Sequence, residues 1–154
     1  MGAQAAGTPL PTLHRLIGEI RAREASERGG ARAAWLAARA AVHQALATRR
    51  STVALYDLRE TLAGAKEPLP VGFLAALAGI GDATCLEPLA AAYARSRTAR
   101  EDWWRSHLAT AFQDIVRRGR LTRRHAAVRK VLARWPEAGQ ALMPRRRARS
   151  RPRR

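Results

Sequence analysis

The chain has 154 residues, with 29 Lys or Arg against 12 Asp or Glu and a formal charge of +17 at pH 7. That length suits one domain with a sizeable core, and one cysteine, Cys85, excludes an internal disulfide framework. No apolar run reaches the ~18 residues of a membrane span, and MGAQAAGTPLP has neither the basic start nor the apolar core of a secretory signal.

Sparse β-branched residues and apolar positions at three- and four-residue spacing predict an all-α fold of about seven helices. The first helix covers about residues 10–27, with Leu13, Leu16, Ile17 and Ile20 inward and Pro11 in its first turn. Gly29-Gly30 breaks it. The second, about 31–48, is expected to bury Trp35, Leu36, Val42 and Leu46. Ser51 starts a third over about 52–64, and a loop over 65–68 leads to Pro70 and a fourth over about 70–80.

At Gly81-Asp82 two amphipathic helices meet in a nearly minimal turn. Gly81 is expected to take the left-handed conformation that ends a helix. Asp82 is expected to cap the fifth helix, about 83–95, by accepting a backbone N–H. Pro88 inside that helix predicts a kink. Thr98 and Glu101 have capping-box spacing ahead of a sixth helix, about 99–118, whose stripe is Trp104, Leu108, Ala111 and Ile115. Gly119 stops it. Thr122 is expected to cap a seventh, about 123–134, burying Val128, Val131, Leu132 and Trp135, with Pro136 past its end. Residues 1–9 are expected to be disordered, as is the arginine-rich 144–154 with its lack of large apolar residues, leaving a helical domain over 10–143.

The pattern repeats at 31 residues. Ser51 falls on Asp82, Leu55 on Leu86, Leu58 on Leu89 and Leu62 on Tyr93; Val42 falls on Phe73, Leu46 on Leu77 and Leu77 on Leu108. Two helices per period of this size mark a helical repeat. Residues 74–93 fit the pattern LxALxxIGDxxxLxPLxxAY and so resemble the short bacterial kind of HEAT-like repeat. Residues 42–72 and 94–118 follow it more loosely. The resemblance implies a short α-solenoid of antiparallel helix pairs that acts as a non-enzymatic, cytoplasmic scaffold for a protein partner.

Charge gives a second reading. Residues 1–114 hold 14 basic and 11 acidic side chains, whereas 115–154 hold 15 basic side chains and only Glu137. A cationic end of this kind attracts polyanions through counterion release. The candidate contacts are Arg117, Arg118, Arg120, Arg123, Arg124, Arg129, Lys130, Arg145, Arg146 and Arg147. With no aromatics among the tail arginines, such binding would be to phosphates and non-specific. The alternative function is thus a nucleic-acid-binding accessory or repair protein.

Catalytic motifs are not evident. His14, His43, His107 and His125 are far apart in sequence, none precedes Glu, and HExxH, paired Cys ligands, phosphate loops and GxSxG are missing, so no cofactor or metal is implied. Neighbours on a helix are about 100° apart, so Trp103 and Trp104 cannot both enter the core. Trp104 belongs to the apolar stripe. Trp103, with Arg100 and Arg105, forms a candidate groove contact. HEAT-like DNA glycosylases of the alkylation-repair type use aromatic and acidic groups in a basic groove, and Trp103, Asp102 and Asp114 resemble those ingredients without matching the family's pattern.

Overall fold

Leucine and alanine at helical spacing dominate the interior, and the elements they form are all helical among the described residues. A computed structural model describes residues 7–96 and 101–143. Eight α-helices are present there: α1 Leu10–Ser26, α2 Gly29–Thr48, α3 Leu55–Gly64, α4 Val71–Ile80, α5 Leu86–Arg95, α6 Asp102–Arg118, α7 Ala126–Arg134 and α8 Pro136–Leu142. A short 3₁₀ turn, Ala83–Cys85, leads into α5. None of these helices is long and apolar enough to cross a membrane.

The helices pack in two rows. α1 lies on α2, α2 on α4 and α4 on α6; α3 lies on α5 and α5 on α7, with α5 also against α6. One core cluster runs from Leu58 and Leu62 through Phe73, Leu77, Leu86 and Leu89 to Leu108, Phe112, Val128 and Leu142. A smaller one, Leu13, Ile17, Leu46 and Ala54, holds α1. The 31-residue echo is visible in the element bounds: Leu55 and Leu86 open α3 and α5, and Gly64 and Arg95 close them. Leu46, Leu77 and Leu108, one period apart, are all fully buried.

Small residues set the distance between α2 and α4. A Cβ on Gly72 would stand 3.1 Å from the Ala40 methyl, and one on Gly79 would stand 3.7 Å from that of Ala47. The next step in the row is tighter. Gly81 has φ −59° and ψ 151°, so it is not left-handed as the sequence suggests. The residue is glycine for lack of space: a Cβ would lie 2.5 Å from the Leu77 carbonyl oxygen and 2.6 Å from Ile115 Cδ1. Arg118 closes the same corner, donating from Nη1 to the Ala78 carbonyl and from Nη2 to that of Gly81. The last turn of α4 therefore meets the last turn of α6.

The left-handed positions fall elsewhere. Gly29, with φ +55°, opens α2 rather than ending α1. Arg50 (φ 53°) and Arg120 (φ 51°) follow the ends of α2 and α6. Each sits inside the same two-bond closure, Arg50 N to Ala47 O with Ser51 N to Leu46 O, and Arg120 N to Arg117 O with Leu121 N to Val116 O. This is the pattern in which glycine is favoured.

Other expectations are corrected locally. Asp82 does cap, accepting from Thr84 N at 2.9 Å, but across the 3₁₀ turn. Pro88 falls in the first turn of α5, where an N–H has little helical bonding to lose, so it is not the interior breaker expected. His125, not Thr122, is the N-cap of α7, accepting from Ala127 N at 3.3 Å. Pro136 opens α8, a helix the sequence reading lacked. Thr98 lies outside the described residues, and the capping box it would form with Glu101 lies there with it.

Two stability outcomes follow from this geometry. Gly81→Ala forces Cβ into backbone and Ile115, and is expected to lower unfolding free energy by about 1–3 kcal/mol in urea melts. Arg50→Gly relieves a left-handed side-chain-bearing residue and is expected to raise it by about 0.5–1 kcal/mol in the same melts.

Candidate functional site

Polar side chains collect at three places, and each has a different chemistry. The first is buried between α1, α2 and α3. Helical spacing puts Arg39 and His43 on the inner side of α2, with Ala40 and Leu46. That face was expected to hold Trp35, Leu36 and Val42, which are only half-buried. Arg39 is 3 % exposed, and His43 and Asp57 are 0 %. Asp57 Oδ1 accepts from Arg21 Nη1 at 2.9 Å and Arg39 Nη1 at 3.1 Å. Its Oδ2 accepts from Arg39 Nη1 at 2.9 Å and faces His43 Nε2 at 2.8 Å. Arg39 also donates to Thr61 Oγ1 at 2.8 Å, and its Nη2 lies 2.8 Å from Glu24 Oε2 in an ion pair not aligned as a hydrogen bond. Arg21 reaches on to Glu60 at 3.0 Å.

Burial by itself pushes the Asp57 carboxyl up. The hydrogen bond with His43 and the charge of Arg39 outweigh it, with help from Arg21, and hold the carboxyl below its ordinary value. His43 Nδ1 and Arg39 Nε have no hydrogen-bond partner among the described residues, and Phe73 packs against both groups, 5.7 Å from the His43 ring and 5.3 Å from the Arg39 guanidinium carbon. A His–Asp pair can serve as a general base, but this one is closed to any substrate. Its work is to tie three helices together. Cys85 is likewise buried, and burial pushes its thiol up, away from the reactive thiolate.

The second place is the cationic end. Arg117 donates to Asp114 at 3.0 Å and to Gln113 at 3.1 Å. Arg118 is occupied at the end of α4. Lys130 pairs with Glu87 at 2.7 Å, and Arg134 approaches the other Glu87 oxygen at 3.8 Å. Arg120, Arg123, Arg124 and Arg129 are exposed, and their side chains have no acidic or hydrogen-bonding partner among the described residues. Arg145, Arg146 and Arg147 lie outside those residues. The candidate set of the sequence thus divides into side chains that hold the fold and four that face solvent.

The third place is α6. Trp104 is 3 % exposed and Trp103 46 %, as neighbours about 100° apart require. Trp103 meets Trp104 and His107 edge-on, with centroids 5.9 and 6.1 Å away, and His107 is exposed. Arg105 sits about 200° round the helix from Trp103. It lies over the Tyr93 ring, 4.4 Å from its centroid, and donates to the Ser96 carbonyl at 2.9 Å. Trp103 and Arg105 therefore do not share one groove, and Arg100 lies outside the described residues. Asp102 and Asp114 are about 18 Å apart along α6 at 1.5 Å per residue, so they do not converge on one site.

Arg105 instead lines a cleft of about 470 Å³ with Tyr93, Arg134, Trp135 and Glu137. No signal short of the tertiary packing could have joined these residues. No group of three or more His, Cys, Asp or Glu among the described residues is placed to hold a metal ion.

No family model, curated protein or solved structure matches this chain.

The Asp57 set has a measurable pH signature. Its carboxyl is depressed in the folded state, so its stabilisation is complete above the unfolded value near 3.8 and is lost as pH falls through the lower folded value. Asp57→Ala leaves the buried Arg39 with Glu24 as its remaining counter-charge and His43 Nε2 without its acceptor, and is expected to cost about 3–5 kcal/mol at pH 7. In urea melts taken at decreasing pH, the gap to wild type is expected to narrow below about pH 3.8.

Proposed function

We propose that this chain is a non-enzymatic helical-repeat scaffold of the HEAT-like kind, a short α-solenoid whose cationic C-terminal end binds nucleic-acid phosphates. Two rows of helices at a 31-residue period support the repeat reading. The observation that carries the binding reading is the set Arg120, Arg123, Arg124 and Arg129, exposed and without acidic partners among the described residues. Unpaired guanidiniums offer forked donors that match phosphate oxygens. Because they meet backbone and not base edges, the interaction is sequence-independent and falls with salt.

A protein partner is a second reading. What favours it is Trp103, a large aromatic left 46 % exposed next to Trp104 and His107. Aromatic side chains in such positions are enriched at interface anchors.

The test is fluorescence anisotropy on random-sequence duplex DNA across a salt series. Replacing Arg120, Arg123, Arg124 and Arg129 with Gln is expected to reduce the slope of log affinity against log salt by about 3–4, near 0.9 for each phosphate no longer neutralised. An unchanged slope, or no wild-type binding at about 50 mM salt, overturns the nucleic-acid reading.

A further inference from the structure

The cleft bounded by α5, α6 and α8 has features that a simple phosphate surface does not require. Tyr93 and Trp135 are half-buried and pack against the main core, so one side of each ring is taken. A guanidinium lies over each: Arg105 at 4.4 Å from the Tyr93 centroid, Arg134 at 4.8 Å from that of Trp135. A guanidinium resting on a ring is flat and laterally confined, and its other π-face can receive a planar group. Arg105 is held further by its bond to the Ser96 carbonyl. Its other N–H groups have no partner among the described residues. Arg134 is only loosely engaged, 3.8 Å from Glu87, whose other oxygen already takes Lys130 at 2.7 Å.

The space between these platforms is kept open by small side chains, Ala94, Ala138 and Ala141. Its volume of about 470 Å³ lies within the ordinary range for sites that take a small ligand. Glu137 also lines it. A carboxylate there repels a bare anion but accepts from an amino group. The cleft therefore combines donors for an anion, platforms for a planar ring, and an acceptor for an exocyclic amine.

We infer that this cleft takes one nucleotide of a single-stranded nucleic acid. The base stacks on a guanidinium platform, its phosphate meets the Arg105 and Arg134 N–H groups, and Glu137 favours a base with an exocyclic amine. Duplex bases are stacked on one another and cannot enter without unpairing, whereas each base of a single strand has a π-face to offer. The inference rests on the nucleic-acid reading and adds to it a base-admitting site apart from Arg120, Arg123, Arg124 and Arg129.

The experiment uses the full chain and labelled oligonucleotides of about 16 residues, the upper end of common single-strand site sizes: oligo(dC), oligo(dT) and a duplex of equal length. Expected are tighter binding of single strand than duplex and a preference for oligo(dC), whose N4 amine Glu137 can accept. Arg105→Gln with Arg134→Gln is expected to weaken oligo(dC) binding about tenfold and duplex binding far less. Glu137→Gln is expected to remove the preference for oligo(dC) over oligo(dT). Arg134→Gln alone, at an exposed position, supplies the same reading if the double variant melts early by circular dichroism, with a smaller loss confined to single strand. Single-strand binding unchanged in Arg134→Gln and the double variant, or no preference over duplex in wild type, overturns the cleft assignment. Duplex binding that survives those results leaves the cationic-surface reading standing, whereas no binding to any of the three probes removes both.

Discussion

The carboxylate of Asp57 is the point on which the first three helices depend for their mutual placement. α1 contributes Arg21, α2 contributes Arg39 and His43, and α3 supplies the carboxylate itself. Apolar packing alone is permissive here. α3 and α5 have the same length, and Leu55 and Leu58 of one recur as Leu86 and Leu89 of the other, so hydrophobic complementarity distinguishes them weakly. One period on from Arg39, His43 and Asp57 stand Pro70, Leu74 and Pro88. None of these can complete the ionic set. Pairing α2 with the wrong successor would remove the Asp57 carboxylate from the buried Arg39 and His43 and leave Arg39 only Glu24, at a cost of several kcal/mol. The network thus gives the repeat an identity at its N-terminal end, and it does so with groups that a purely apolar interface would omit.

Beyond that end the constraint changes from charge to distance. Gly72 admits Ala40 and Gln44, and Gly81 admits Ile115, so α2, α4 and α6 approach closely along one row. Close approach removes water from Leu46, Leu77 and Leu108, which sit one period apart on three successive helices of the row. Burial of apolar area at about 25 cal/mol per Å² then carries the stack. Arg118, reaching the carbonyls at the end of α4 from the end of α6, locks the corner where a side chain on residue 81 has no room.

How much of this could be read in the sequence follows from range. The Asp82 cap and the split between Trp103 and Trp104 were legible because they are set within one or two turns of chain. So was the 31-residue echo, because the core repeats its leucines. Gly81 was legible as special but for the wrong reason: its conformation is ordinary, and the obstacle is Ile115, 34 residues away. Arg39 and His43 were missed because an apolar-stripe reading treats charged positions as outward. Yet 39, 43 and 46 share one helical face, and Asp57 immediately precedes the buried Leu58, which together are the trace a paired interior charge leaves. Pro136 reads equally as a helix terminator or as the first residue of a new helix, and only the burial of Ala138 and Leu142 decides for α8.

Net charge is the property that sequence conveys with least discrimination. Counted by type, the C-terminal quarter is one cationic block. Sorted by what each side chain touches, it contains two populations. Arg118 completes the hydrogen bonding of a helix end, Arg117 serves Asp114, and Lys130 takes Glu87 and so fastens α7 to α5. These cations already have counter-charges or carbonyls, and an incoming phosphate would have to compete for them. Arg120, Arg123, Arg124 and Arg129 have no such claim. Arg120, Arg123 and Arg124 lie between α6 and α7, where Arg120 holds a left-handed conformation, and Arg129 lies on the exposed side of α7. Among the described residues, the cationic surface left open is therefore narrower than a count of basic residues implies, and it adjoins the helix end whose Arg118 holds the fold.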